Sequence, residues 1–248
     1  MKGMPLISLV DLAISFVPVV AVLVIYIRWS LDYKTVLYGM GRMLGQLLAI
    51  GYLLNIIFNS DSVWVVLMVM SVMVLAAGWI GLRTLPYARR QLYPAALGSI
   101  LTGGVLTFSL VVGGVLSLDP WYAPRFTIPL AGMIFASSMN SISLAGERFV
   151  AEVSRGLEPT KAQTTALTAA LIPHTNSLFA VGLVSLPGMM TGQILSGTSP
   201  LIAVRYQIVV MTMLFGAAGL AAAIFLMLLK RRDLPKNGVK PLDLSMGI

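Results

Sequence analysis

Residues 201–229 read LIAVRYQIVVMTMLFGAAGLAAAIFLMLL, and within them only Arg205 carries a charge. About twenty predominantly apolar residues are enough for a helix to cross the hydrocarbon core of a bilayer. Similar runs recur at 6–27, 38–58, 63–82, 95–118, 126–145 and 166–187, so the sequence predicts seven spans, with 201–229 the last. In lipid each span must satisfy its own backbone N–H and C=O groups, which makes the spans helices. No stretch shows the period-two alternation of a barrel strand. The expected fold is therefore an all-α, polytopic helical membrane protein.

Composition agrees. The 248 residues are 58% hydrophobic and only 10% charged, whereas a soluble domain carries about 25% charged residues. The mean hydropathy is +0.90. The spans leave no room for a second folded domain, so 1–232 reads as one transmembrane domain. The tail 233–248, with Pro235, Gly238 and Pro241, reads as loose. The net charge of +8 sits in short connections between apolar runs, which suits a lipid bilayer as partner and not nucleic acid. Cysteine is absent, which excludes a disulfide framework and thiolate metal sites. The N-terminal apolar run ends Val24-Ile25-Tyr26-Ile27-Arg28-Trp29 without a small-residue cleavage site, so it reads as a retained span and not a signal peptide.

The charges also orient the spans. One set of loops holds Arg28 and Lys34, then Arg83, Arg89 and Arg90, then Arg148, Arg155 and Lys161, then Lys230, Arg231, Arg232, Lys236 and Lys240. The other set holds Lys2, Arg125 and Arg205, and Arg42 falls inside the second span. Cytoplasmic loops collect Lys and Arg, so the C-terminus is expected in the cytoplasm and, with seven spans, the N-terminus outside. Trp29, Trp64, Trp79 and Trp121 fall near span ends, where amphipathic rings prefer the headgroup level.

The longest cytoplasmic connection, 146–163, is large enough for a helix lying on the membrane surface. Phe149, Val153 and Leu157 give it an apolar stripe, and Glu147, Arg148, Glu152, Arg155 and Glu158 supply charge. It reads either as a coupling helix that docks into a cytoplasmic ATPase or as an interfacial connector without a partner.

Candidate residues for a substrate path are few. Arg42 and Gln46 share one face of the second span, where a charge costs a few kcal/mol unless it snorkels or pairs. Gly41 and Gly45 beside them form a small-xxx-small pair suited to helix contact. Ser137, Asn140 and Ser141 cluster on one face of the fifth span, with Met133 one turn earlier. That face would line a path or bind packed helices to each other. The sixth span contributes His174, Asn176 and, further on, Gln193. Pro173, Pro187 and Gly188 are expected to break it, and broken helices at membrane depth are a common way to build transporter sites. Pro187 would equally suit the outer end of that span.

No metal site is expected. His174 is the only histidine and lacks a nearby acidic partner, and Met189, Met190, Met211 and Met213 read as pliable packing rather than soft ligands. No Gly-x4-Gly-Lys-Ser/Thr loop, Gly-x-Ser-x-Gly elbow or His-Glu-x-x-His pair is present. ATP hydrolysis and the commoner hydrolase chemistries are thus not expected of this chain, and no catalytic residue is assigned.

Several strings resemble the FetB family of ABC permeases, which includes bacterial iron-export permeases and is similar to plant aluminium-tolerance permeases. They are Gly41-Arg42, Gln46-Leu47 and Gly51-Tyr52; Ala131-Gly-Met-Ile134; the run from Val181 through Ser185-Leu-Pro-Gly-Met-Met190 to Leu195; and Arg205-Tyr-Gln-Ile208. The resemblance implies an inner-membrane permease without a cofactor of its own, paired with a soluble ATPase subunit that binds the ATP, as two copies of each. It implies export of a metal such as iron. The family's loop between the fifth and sixth spans is longer by about two helical turns than Arg155-Gly-Leu-Glu-Pro-Thr-Lys-Ala-Gln163. That shortening keeps open a transporter or channel that needs no ATPase.

Overall fold

In the computed structural model the described residues are 7–60 and 62–231, with the side chains of Asn55 and Ile56 left aside. The expected loose tail, 233–248, lies outside them. The described residues divide into two compact units, one up to residue 56 and one from residue 57 on. Among the described residues the regular structure is helical, with no β-strand.

The first unit contains α1 (Leu9–Ile14), α2 (Val17–Arg28) and most of α3 (Tyr33–Phe58). Asp11 N–H donates to Ser8 Oγ at 3.1 Å and Ser8 N–H donates to Asp11 Oδ2 at 3.2 Å. This reciprocal box satisfies two donors that the first helical turn would otherwise orphan. Pro18 sits in the first turn of α2, where its missing N–H costs nothing. Together α1 and α2 form the first predicted span. On α3, nothing in this unit lies within 4 Å of where a Cβ on Gly41 or Gly45 would be, so the expected helix contact is not made there.

The second unit holds α4 (Val63–Gly81), α5 (Arg89–Ser109), α6 (Pro124–Ser154), α7 (Pro159–Ala180), α8 (Gly188–Leu195) and α9 (Pro200–Lys230). A short 3-10 turn, Pro86–Ala88, leads into α5, and a π turn, Leu110–Val115, leads out of it. Helices α4, α5, α6, α7 and α9 pack as a bundle, and α8 leans on α9. Among the described residues five helical stretches are long and apolar enough to cross a membrane: 9–28, 63–81, 86–115, 124–154 and 200–230. Helices α3 and α7 lie where the second and sixth spans are predicted but fall outside that set.

Small residues form the bundle's contacts. Ala162, Ala166 and Ala170, every fourth residue of α7, are fully buried, as are Ala217, Ala218, Ala221 and Ala222 on α9. Lipid is as apolar as a leucine side chain, so burial drives helices together only weakly; close backbone approach and interhelical hydrogen bonds do the work. Ser137 Oγ donates to the Leu214 carbonyl and Ser138 Oγ to the Ala217 carbonyl, both at 3.3 Å. Around these contacts Phe149, Phe225, Ile100, Ile134 and Ile142 fill the core.

Two sequence expectations are corrected here. Residues 146–163 are no separate surface helix: α6 runs on to Ser154, Arg155–Glu158 make a turn, and α7 starts at Pro159. The stripe of Phe149, Val153 and Leu157 packs into the bundle core, which is why the helix continues instead of lying flat. Pro173 does not break a helix, since α7 passes through it to Ala180. The interruption comes at 181–187, where Gly182 takes φ +81, a left-handed conformation suited to glycine. Pro187 and Gly188 then start α8, so they begin a helix rather than interrupt one.

The junction of α4 and α5 carries a testable contact. Arg89 donates to the Trp79 carbonyl through Nε at 3.0 Å and Nη2 at 2.7 Å, and its guanidinium lies 3.9 Å from the Trp79 ring centre. It thereby serves one of the last carbonyls of α4, which have no partner in the helix. Arg89→Lys keeps the charge but loses the fork and the stacking. It is expected to lower stability by about 1 kcal/mol, read from thermal unfolding in detergent; unchanged stability would mean that charge alone suffices.

Candidate functional site

The bundle of the second unit has two chemically different ends. One gathers the C-terminus of α6, the start of α7 and the end of α9, tied by Lys230 Nζ donating to Thr160 Oγ1 at 2.9 Å. Arg148, Arg155, Lys161, Lys230 and Arg231 lie at this end, and the α4–α5 connection adds Arg83, Arg89 and Arg90. The opposite end, where α6 and α9 begin, has Arg125 and Arg205.

At the charged end Glu152 is buried, with Arg148 Nη2 at 2.7 Å and Arg155 Nη1 at 3.5 Å. This carboxylate and Phe149, which is 2% exposed, hold α6 in the bundle and are not offered to a partner. Both were expected among the docking residues, and their burial corrects that. Glu147, Arg155 and Glu158 are exposed and Arg148 is half-buried, so these four remain on the surface of the α6–α7 elbow. The Thr160 hydroxyl, then the Thr160 backbone N–H and the charges of Lys161 and Lys230, hold the Glu158 carboxyl below the usual carboxylate range. The Glu158 contacts are thus present at neutral pH and are lost only as pH falls through that lowered range.

Midway along the bundle, Ser141 Oγ and His174 Nε2 are 3.0 Å apart and join α6 to α7. Ser141 is fully buried and Ser137 nearly so, with its hydroxyl spent on α9. Of the polar face read from the fifth span, only Asn140 is exposed; Asn176 on α7 is exposed too. The serines therefore bind helix to helix. Arg42 and Gln46, in the first unit, are exposed.

Towards the opposite end lies a cavity of about 320 Å³ between α6, α8 and α9, lined by Arg125, Met133, Met189, Gln193, Thr198 and Tyr206 with apolar neighbours. Gln193 Oε1 is buried without a hydrogen-bond partner. Such an acceptor is costly to leave unmade, so it marks a place where a ligand or solvent completes the structure. Met133 and Gln193 were legible in the sequence. Arg125 and Tyr206 were not, although Tyr206 stands in the Arg205-Tyr-Gln-Ile208 string. Among the described residues no three His, Asp or Glu side chains gather where they could hold a metal ion. The cavity offers amide and hydroxyl oxygens and thioethers instead.

Residues 9–233 match the family described as "Uncharacterised protein family (UPF0014)". A UPF0014 membrane protein of Synechocystis is 37% identical over 193 residues, 71% of this chain and 73% of that one. The "Probable iron export permease protein FetB" of Escherichia coli is 31% identical over 221 residues, 83% of this chain and 84% of its own. The Arabidopsis thaliana "Protein ALUMINUM SENSITIVE 3" is 35% identical over 224 residues, 81% and 80% of the two chains. No solved structure matches. An all-helical multi-pass membrane protein with this match along nearly its whole length belongs to the UPF0014 family.

Proposed function

We propose that this chain is the permease subunit of an ABC transporter that exports a metal ion such as iron, driven by a separate ATPase subunit. The observation that carries the reading is the likeness, over most of the chain, to the protein named "Probable iron export permease protein FetB". The permease works as a homodimer in the inner membrane, and ATP binds and is hydrolysed on the partner chain. All seven long helical stretches span, α3 and α7 included, with the N-terminus outside and the C-terminus in the cytoplasm. The concentration of Lys and Arg at the α6–α7 elbow supports that orientation.

In this reading α6 carries the energy. Helix α6 runs without interruption from Met133, in the cavity wall, to the elbow. An ATPase that grips Glu147, Arg148, Arg155 and Glu158 at the elbow acts on one rigid rod. A tilt of that rod against α7, hinged at the Ser141–His174 contact, changes the cavity where Gln193 waits for a donor. Asn140 and Asn176 complete the path residues in this reading, with Ser137 in a supporting role.

Co-expression with the ATPase encoded beside this chain is expected to yield a complex that survives purification, and failure to co-purify would count heavily against the reading. Glu147→Lys combined with Lys161→Glu inverts two exposed charges of the elbow without touching the core. In vesicles holding both subunits it is expected to lower ATP-driven metal export about tenfold, a coupling loss of ordinary size. Equal export by variant and parent would place the grip elsewhere.

The short connection favours a second reading, a transporter or channel without an ATPase, because Arg155–Glu158 is only a turn and no helix lies across the elbow. It requires metal flux from liposomes holding this chain alone, without ATP.

A further inference from the structure

A second concavity lies on the other side of α8, between the end of α7, the 181–187 interruption and α9. Its volume is about 330 Å³ and its wall is almost wholly apolar, including Leu178, Leu186, Met190, Val204, Ile208 and Met211. Gln207 lines it, is only 6% exposed, and its Oε1 has no hydrogen-bond partner. The other polar side chain in the wall, Thr212, has already spent its proton on the carbonyls of Ile208 and Val209, each at 3.0 Å. No side chain in the groove can therefore donate to Gln207.

We infer that this groove binds a neutral amphiphile, an alkyl or acyl chain with one free hydroxyl, whose O–H donates to Gln207 Oε1. Each part of that description comes from the wall. No charged side chain lines the groove, and a charged ligand would be desolvated there without compensation. The volume falls at the small end of ligand sites, which run from about 300 to 1,000 Å³. Leu178, Leu186 and Ile208 at its mouth are exposed, facing the medium in which such chains dissolve. Met190 and Met211 are pliable and accept a chain of variable shape. The oxygen of Gln207 demands a donor, which a free alcohol has and an ester or ether lacks. The site is separate from the Gln193 cavity and does not depend on the metal or the ATPase.

The test uses the full chain in phosphatidylcholine nanodiscs and 1-dodecanol carrying a diazirine in its chain. Photolabelling is expected on residues 178–212. Unlabelled 1-dodecanol should compete about tenfold better than dodecyl methyl ether at equal mole fraction in the membrane, as expected when one buried acceptor gains its donor. Gln207→Leu should keep the labelling and bring alcohol and ether level. Ile208→Trp, which fills the mouth and leaves Gln207 in place, should remove the labelling and guards against a Gln207 variant that fails to fold. Scattered labelling overturns the inference, as does parity of alcohol and ether in the parent chain or a preference for the ether. A preference that survives Gln207→Leu, or labelling unchanged in Ile208→Trp, does so too. Labelling that appears only when dimers are dissociated would give the groove to a second copy of the chain and likewise overturn it.

Discussion

Gly103→Val is expected to destabilise the protein by about 3 kcal/mol or more, at the upper end of what overpacking a core costs. A Cβ at Gly103 would come 2.9 Å from the backbone nitrogen of Ala221 and 3.2 Å from Leu220 Cβ. A backbone atom cannot rotate away, so α5 and α9 would have to separate along their length. Their separation would loosen the buried faces of both, which include Ile100, Ala217 and Ala222. Gly103→Ala should already cost a measurable part of that. Gly98→Ala, one turn and a little more away with nothing within 4 Å of its Cβ position, should be neutral or slightly stabilising, because glycine in a helix interior is itself unfavourable. Unfolding in mixed detergent micelles would measure all three; equal stabilities would mean that the two helices do not approach so closely.

Phe225→Ala is expected to cost about 3 kcal/mol, the lower end of the range for a buried phenylalanine. Its ring is fully buried and lies over Gly146, 3.1 Å from where a Cβ there would sit. It thus fills the space that a glycine opens between α6 and α9, close to the elbow. In lipid the unfolded reference is also apolar, so the transfer term is small and the loss comes from the cavity and its missing contacts. Phe225→Leu should recover most of the stability. The same micelle unfolding reads both, and a Phe225→Ala variant as stable as the parent would show that the ring does not wedge these helices.

These two sites illustrate what could and could not be read from the sequence. Gly103 and Ala221 are ordinary members of apolar runs, and nothing in their spacing identifies them as partners. Their importance comes from two helices meeting more than a hundred residues apart in the chain. Glu152 is similar: it read as a charge for docking, but its neighbours Phe149 and Val153 belong to the core stripe, so the carboxylate was carried inward with them. Gln207 drew no notice because an isolated polar residue in a long span is usually satisfied by a neighbour, and only the surroundings reveal that it is not.

The sequence by itself determined that the chain is helical and built for lipid, because hydropathy and the demand that every backbone group find a partner are local properties. It also determined which connections gather the positive charge, and it contained the strings that place the chain in its family. Tertiary structure alone decided where α6 ends, because the stripe that could have faced a membrane surface found a core to enter. It alone decided that Pro173 is carried through a helix, that the α6 serines bind α7 and α9, and that two glutamines are left facing cavities. Those outcomes depend on which helices become neighbours, and contact between distant segments is set by packing, not by any single segment's composition.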